Sequence, residues 1–416
     1  MTSSTRPTIT IAVILLIGFT LRVAHLLASI DNPFLYALSP DEDYYLAFGR
    51  DVATGGLGLD PAFAFMDPLY GYLLGALIVL TGENLFVIRL LQIAVDCSSI
   101  ALVAHIATTL AGRRAGLLAG GLYALASPAV FYATLILKTT LVANIVLIWI
   151  AVALRALTTQ RITPWLALGV VTGIAALLRS NLILLLPGAL LLALPFGTRS
   201  TGRSLAAALA VLVTTLALQI PAGLRHQAIT GDFALLPSNG GIVLYQVYAP
   251  DHLDGGRVMP AFVESVNPLE MQYYFVQEAQ RRTGREMSLD DANAYWGSAA
   301  VAQIREQPAA ALKHIADNLQ AFVGGLEIPN NRSLYVDRAF SLPLALSPVG
   351  FAILAGLGVP GLVGGISRRP AAAVLLIPIA IAMITIAVFF DFSRFRFPAL
   401  PCLAVAGGLF LDHLMT

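Results

Sequence analysis

Three consecutive acids and two tyrosines, Asp41-Glu42-Asp43-Tyr44-Tyr45, stand about ten residues beyond the first long apolar run of the chain. A carboxylate is costly to bury without a partner, so packing does not account for three in a row beside a membrane span. At the water boundary such groups can take a proton, hold a sugar hydroxyl or ligate a metal, the chemistry of a catalytic centre. A helix N-terminus also favours Asp and Glu through the macrodipole, which explains one or two acids but not the group. Basic residues recur beside apolar runs: Lys138 in Leu137-Lys138-Thr139, Arg179 in Leu178-Arg179-Ser180-Asn181, and Arg394 and Arg396 in Asp391-Phe392-Ser393-Arg394-Phe395-Arg396-Phe397-Pro398. Arginine forks suit a phosphate or diphosphate held at a lipid boundary, and Lys138 is a further candidate phosphate ligand. Snorkelling of these side chains, or an ion pair with Asp391, is the plain structural alternative. Arg22 lies inside the first apolar run, where facing lipid is expensive and facing the site is the better fit.

The elements that must position these residues are membrane helices. Of 416 residues 57% are hydrophobic and 12% charged, with mean hydropathy +0.79; a soluble chain carries about twice that charged fraction. Apolar segments fall near 8–30, 84–111, 114–130, 135–157, 164–178, 181–196, 204–222, 343–364, 371–390 and 397–414. The expectation is an all-α polytopic membrane protein with about ten transmembrane helices. The run at 8–30 is too long for a signal peptide and no small-x-small site follows it, so it reads as a retained signal anchor. Basic links at Arg113-Arg114, Arg155 with Arg161, Arg199 with Arg203, and Arg368-Arg369 all fall on the side of Arg6. The positive-inside rule makes that side, and both termini, cytoplasmic. The acid cluster, Lys138, Arg179 and Arg394 then share the outer face of the membrane.

Two regions lie outside the apolar runs. The outer loop 31–83 contains a stretch of helical spacing from Tyr44 to Val52 and an apolar piece, Pro68 to Leu80, that is too short to span and reads as a juxtamembrane helix. The polar region 223–341 reads as a small, mostly helical extracytoplasmic insert between a transmembrane module, 1–222, and C-terminal transmembrane helices, 342–416. Within it Ser288-Leu289-Asp290-Asp291 is an N-cap with an acidic third position, opening a helix to about Arg305. Pro308 begins another helix, to about Gly324, with an apolar stripe of Leu312, Ile315, Leu319 and Phe322 that can pack on the insert or lie at the membrane surface. Cys97 and Cys402 sit in apolar runs and are packing residues. A net charge of +1 gives no footing for nucleic acid, and the absence of Cys/His spacings and of a Walker loop argues against a zinc enzyme or an ATP-driven pump.

The order of these features is itself a pattern. A span is followed by Asp-Glu-x-Tyr-Tyr, then Pro68-Leu69-Tyr70, Ile88-Arg89-Leu90-Leu91-Gln92, Gly112-Arg113-Arg114-Ala115-Gly116, Ser127-Pro128 with Phe131-Tyr132, Leu178-Arg179-Ser180-Asn181, and Arg394-Phe395-Arg396-Phe397-Pro398. It resembles, over nearly the whole chain, the GT-C superfamily of integral-membrane glycosyltransferases, in particular bacterial proteins akin to protein O-mannosyltransferases and aminoarabinose transferases. The insert resembles a less studied bacterial branch through Gly231-Asp232-Phe233, Ser238-Asn239-Gly240-Gly241, Arg282-Thr283-Gly284-Arg285, Tyr295-Trp296 and Glu327-Ile328-Pro329-Asn330-Asn331.

The resemblance implies transfer of a sugar from a polyprenyl-phosphate donor to an extracytoplasmic acceptor, whether glycan, lipid or protein. It makes Asp41 the base or acceptor-orienting group, with Glu42 beside it. Many relatives carry a second acid where this chain has Lys138-Thr139, which turns Lys138 towards the donor phosphate together with Arg179, Arg394 and Arg396. Mg²⁺ or Mn²⁺, held by Asp41 and Asp43, is the cofactor such a site could take. Tyr44, Tyr45 and Tyr70 are candidates for sugar contacts, with Asp43 and Asn181 as further substrate ligands. A transporter or flippase for a lipid-linked or anionic substrate is the competing class. A carrier should, however, place its ionisable groups near the midplane and show similar halves, and here they crowd the outer boundary.

Overall fold

The computed structural model describes residues 5–194, 200–250 and 259–416; Arg199 and the side chain of Arg6 lie outside the described residues. With no water to bond to, long apolar runs satisfy their backbone groups only as helices. Seven stretches are long and apolar enough to cross a membrane: Thr10–Ala28, Leu85–Ala111, Thr139–Thr158, Thr201–Thr230, Phe351–Arg368, Pro370–Val388 and Ser393–Leu414. The protein is a multi-pass membrane protein, all-α among the described residues.

The chain begins with α1 (Thr5–Ala28), and the loop that follows carries α2 (Pro40–Ala53) and the apolar but short α3 (Leu69–Thr81). Then follow α4 (Leu85–Ala111), α5 (Arg113–Ala124) and α6 (Ser127–Tyr132). The span expected at 114–130 is thus broken near Leu125, where Ser127 donates to Val349 O at 2.9 Å instead of continuing the helix. Next come α7 (Thr139–Thr158), α8 (Thr163–Leu178), α9 (Leu185–Ala193) and α10 (Thr201–Thr230), the last a single helix running well past residue 222.

After α10 come α11 (Gly240–Tyr248), α12 (Pro268–Thr283), α13 (Leu289–Glu306), α14 (Pro308–Val323) and α15 (Leu334–Phe340) in the polar region, followed by α16 (Leu342–Ala345). The last bundle helices are α17 (Phe351–Arg368), α18 (Leu376–Val388), the short α19 (Ser393–Arg396) and α20 (Leu400–Leu414).

The last span is the centre of the bundle: the most apolar 18-residue stretch is 72% buried there, against 22% in the first span and in α10. It packs on α17, α5 and α4. Its contact with α17 needs glycine, since a Cβ at Gly361 would stand 1.9 Å from Ala406 O. The α2–α3 hairpin closes in the same way, a Cβ at Gly75 falling 2.6 Å from Val52.

The insert has its own core around Trp296, whose indole donates to Phe275 O at 2.9 Å, and Phe65 of the first outer loop belongs to that core. The Ser288 cap forms with Asp291 as expected. The apolar stripe of α14 is divided between the interior and the surface. Phe322 is buried but Leu312 is 66% exposed, and the buried face instead includes Asn318, which donates to Ile386 O at 2.8 Å and caps the end of α18. A polar residue carries that face because a carbonyl at a helix end needs a donor.

Candidate active site

The acid cluster opens α2. Ser39 and Glu42 form a capping box, with Pro40 at the first turn. Helical geometry then separates the three acids, because successive side chains turn about 100°. Asp41 faces a cavity of about 710 Å³ and pairs with Arg394. Glu42 points inward, accepting from Ser39 N at 3.0 Å, Ser39 Oγ at 2.8 Å and Ile136 N at 3.0 Å, so it ties α2 to the turn before Lys138 and is a structural group. Asp43 accepts from Asn267 Nδ2 at 2.8 Å, a link to the insert.

The cavity collects residues far apart in sequence. Lys138, in the turn before α7, pairs with Asp67, whose other oxygen accepts from Ser180 N at 2.8 Å. Arg179, the residue ending α8, lies in the wall with its guanidinium 4.6 Å from the Phe395 ring centre, and among the described residues it has no salt bridge. Asn181 also lines the cavity and donates to Thr385 Oγ1 at 2.8 Å. Tyr45 lines it beneath the ammonium of Lys138, 5.3 Å from the ring centre. Phe389, Phe390, Phe392 and Phe395 form an apolar flank.

Other expected ligands lie elsewhere. Arg396 is turned away from the cavity. It donates to Gly324 O at 2.7 Å and Leu326 O at 2.5 Å, stands 3.0 Å from Glu327, and so holds the chain leaving α14. Tyr44 OH accepts from Met66 N at 3.2 Å, and Tyr70 OH donates to Gln92 at 2.6 Å; neither lines the cavity. Arg22 does not face the site. It sits in the bundle interior against Asp96 at 2.5 Å. Asp391 is not the partner of Arg394, which is Asp41.

Electrostatically the cavity is short of negative charge. Its charged wall residues, among those described, are Asp41, Asp67, Lys138, Arg179 and Arg394. Burial alone would raise the pKa of Asp41, but the charge and hydrogen bond of Arg394, with Asn331 and Lys138, hold it below the usual carboxylate range. Burial and the proximity of Arg179 push Lys138 down despite Asp67. Burial, then Arg394, bring Arg179 down to about 10. Such depressed cations are relieved by an incoming anion.

A divalent metal fits poorly. Asp41 and Asp43 stand two residues apart, about 200° round the helix, and Asp41 and Asp67 each already hold a cation. Among the described residues no group of three or more His, Cys, Asp or Glu could hold a metal.

Sequence reading missed Asp67, although an acid just before Pro68 and a juxtamembrane helix was the available signal. It noticed Asn330-Asn331 only as part of a matching motif; both line the cavity.

This architecture, with an acid-led loop after the first helix and a basic cavity at one end of the bundle, shares its fold with membrane glycosyltransferases of known structure. Residues 64–223 match the family of dolichyl-phosphate-mannose-protein mannosyltransferases. The Archaeoglobus fulgidus oligosaccharyltransferase in its apo form is similar at TM-score 0.57 and 14% identity, over 99% of this chain and 51% of that one. The same enzyme with an inhibitory peptide and dolichol-phosphate gives 0.57 and 13%, over 99% and 50%. This chain therefore spans about half the length of that enzyme. ArnT from Cupriavidus metallidurans bound to undecaprenyl phosphate is similar at 0.42 and 17%, over 99% and 79%. No curated protein matches the sequence.

Proposed function

We propose that the protein transfers a glycosyl unit from a polyprenyl-phosphate carrier to a hydroxyl of an extracytoplasmic acceptor. One observation carries this reading: a single cavity joins a buried carboxylate, Asp41, to three cations, one of which, Arg179, makes no salt bridge among the described residues. The acceptor oxygen bonds to the sugar C1 as the bond from C1 to the phosphate oxygen breaks. The acceptor proton passes to Asp41, and the lipid phosphate leaves with its charge met by Arg179, Lys138 and Arg394. Arg394 links the two halves of this chemistry. When it turns to the donor phosphate it leaves Asp41, whose carboxylate becomes more basic as its counter-charge departs. The phenylalanine flank suits a prenyl chain, which keeps the leaving group in the bilayer. Mg²⁺ or Mn²⁺ is not assigned a step.

Arg179→Ala is expected to weaken binding of a polyprenyl phosphate at least about tenfold, as loss of a charge-assisted hydrogen bond does. Arg396→Ala should leave that dissociation constant alone and lower the melting temperature. Titration calorimetry on purified protein separates the two, and equal effects would count against the division of roles.

The same reading puts the cavity outside the cytoplasmic membrane of a bacterium, with both chain ends inside. Arg114 is 3.9 Å from Asp412 and Arg368 2.8 Å from His413, so two basic links share the end of the bundle opposite Arg394 along the final helix. Tyr36 is 63% exposed near the cavity end. A cysteine replacing it should react with an impermeant maleimide in intact spheroplasts. Labelling only after lysis would reverse the orientation.

A further inference from the structure

The cavity wall holds five buried polar atoms without a hydrogen-bond partner: Tyr45 OH, Asn181 Oδ1, Asn330 Oδ1, Asn331 Nδ2 and Arg394 Nε. Buried polar groups are ordinarily paired, so such a cluster beside a cavity points to a polar ligand. The wall is also divided by charge. Its ionised groups come from the first outer loop, the turns at Lys138 and Arg179, and the approach to the final helix. The part contributed by 236–271 and 330–331 is amide and apolar among the described residues.

The segment carrying Asn330 and Asn331 is held firmly in place. Ile328 N donates to Ser393 Oγ at 2.7 Å, Ser393 N donates to Ile328 O at 3.1 Å, and Arg396 grips Leu326 and Glu327 just before it. The Asn331 amide lies close enough to Asp41 to hold its carboxyl down, yet Nδ2 completes no hydrogen bond of normal geometry.

We infer that Asn330 and Asn331, with Asn181 and Tyr45, form a subsite for an uncharged, hydroxyl-bearing glycosyl unit beside Asp41. The inference rests on the glycosyl-transfer reading and deepens it. An amide both donates and accepts, so it pairs with hydroxyls without placing a new charge in a buried wall. An amino sugar would need a carboxylate not already holding a cation, and among the described residues both cavity carboxylates are paired. A uronic acid would need a cation beyond Arg179, which the donor phosphate engages. The sugar can arrive on the lipid phosphate or as part of the acceptor; the chemistry is the same.

Calorimetry on the purified full chain in nanodiscs tests this with farnesyl phosphate and its esters with mannose, an amino-pentose and glucuronic acid. The mannose ester should bind at least tenfold more tightly than farnesyl phosphate, and Asn330→Ala/Asn331→Ala should remove that gain while farnesyl phosphate binds as before. Asn330→Ala alone, with a smaller loss, serves if the double variant does not fold. If the sugar belongs to the acceptor, methyl mannoside should instead bind the farnesyl-phosphate-loaded protein in an asparagine-dependent way. The subsite is overturned if neither arm depends on the asparagines, or if a charged-sugar ester binds as tightly as the neutral one. Methyl mannoside binding that needs the asparagines while farnesyl phosphate fails to bind would sink the lipid-phosphate reading and leave the subsite standing.

Discussion

Asp41→Asn should lower glycosyl transfer at least about 10²-fold, the usual cost of losing a general base. The amide keeps the size of the carboxylate but takes up no proton. The change also frees Arg394 from its anion, so donor binding should hold or tighten while kcat falls. A loss confined to KM would assign Asp41 to binding alone.

The pH dependence follows from the same pair. With its folded pKa held below the usual carboxylate range by Arg394, Asp41 is ionised throughout neutral pH, and the acid limb of kcat/KM should lie below that of an ordinary carboxylate. Arg394→Gln removes the main charge that depresses it, and the limb should move up. The stability that the pair contributes is present above the unfolded carboxylate pKa and disappears as pH falls through the lower folded one.

The second large effect concerns stability. Arg22 and Asp96 are both fully buried and lie 2.5 Å apart; Tyr123 OH donates to Asp96 at 2.9 Å, and Arg22 donates to the carbonyls of Gly18 and Ala124 at 3.0 Å each. Arg22→Ala strands the carboxylate in the bundle interior and should cost about 3–5 kcal/mol, since breaking one half of a buried pair leaves an uncompensated charge. Replacing both by apolar residues, as in Arg22→Met/Asp96→Leu, should recover much of that loss. Denaturation of the purified variants in detergent decides it, and a single variant as stable as the parent would mean that the pair does not hold the helices together.

Helix positions were legible because their causes are local. The α2 cap uses Ser39, Pro40 and Glu42 within four residues, the α13 cap uses Ser288 and Asp291, and Pro308 starts α14 where its missing N–H costs nothing. Long apolar composition likewise leaves the backbone no alternative to helix in a bilayer. The break between α5 and α6 was not legible, because it depends on Val349 lying beside Ser127.

The amino-acid sequence by itself determined a multi-pass helical bundle with an acid-led loop after its first helix and a set of basic residues near helix ends, since composition, periodicity and caps act over one or two turns. Only the tertiary structure decided how those residues divide their work. It put Asp41 against Arg394, 353 positions away, matched Lys138 with Asp67, left Arg179 without a salt bridge among the described residues, and tied Glu42 and Arg396 into hydrogen bonds away from the cavity. Neighbours on one helix point in different directions, and which direction meets a cavity is fixed by the elements packed around it, through contacts that no local stretch of sequence records.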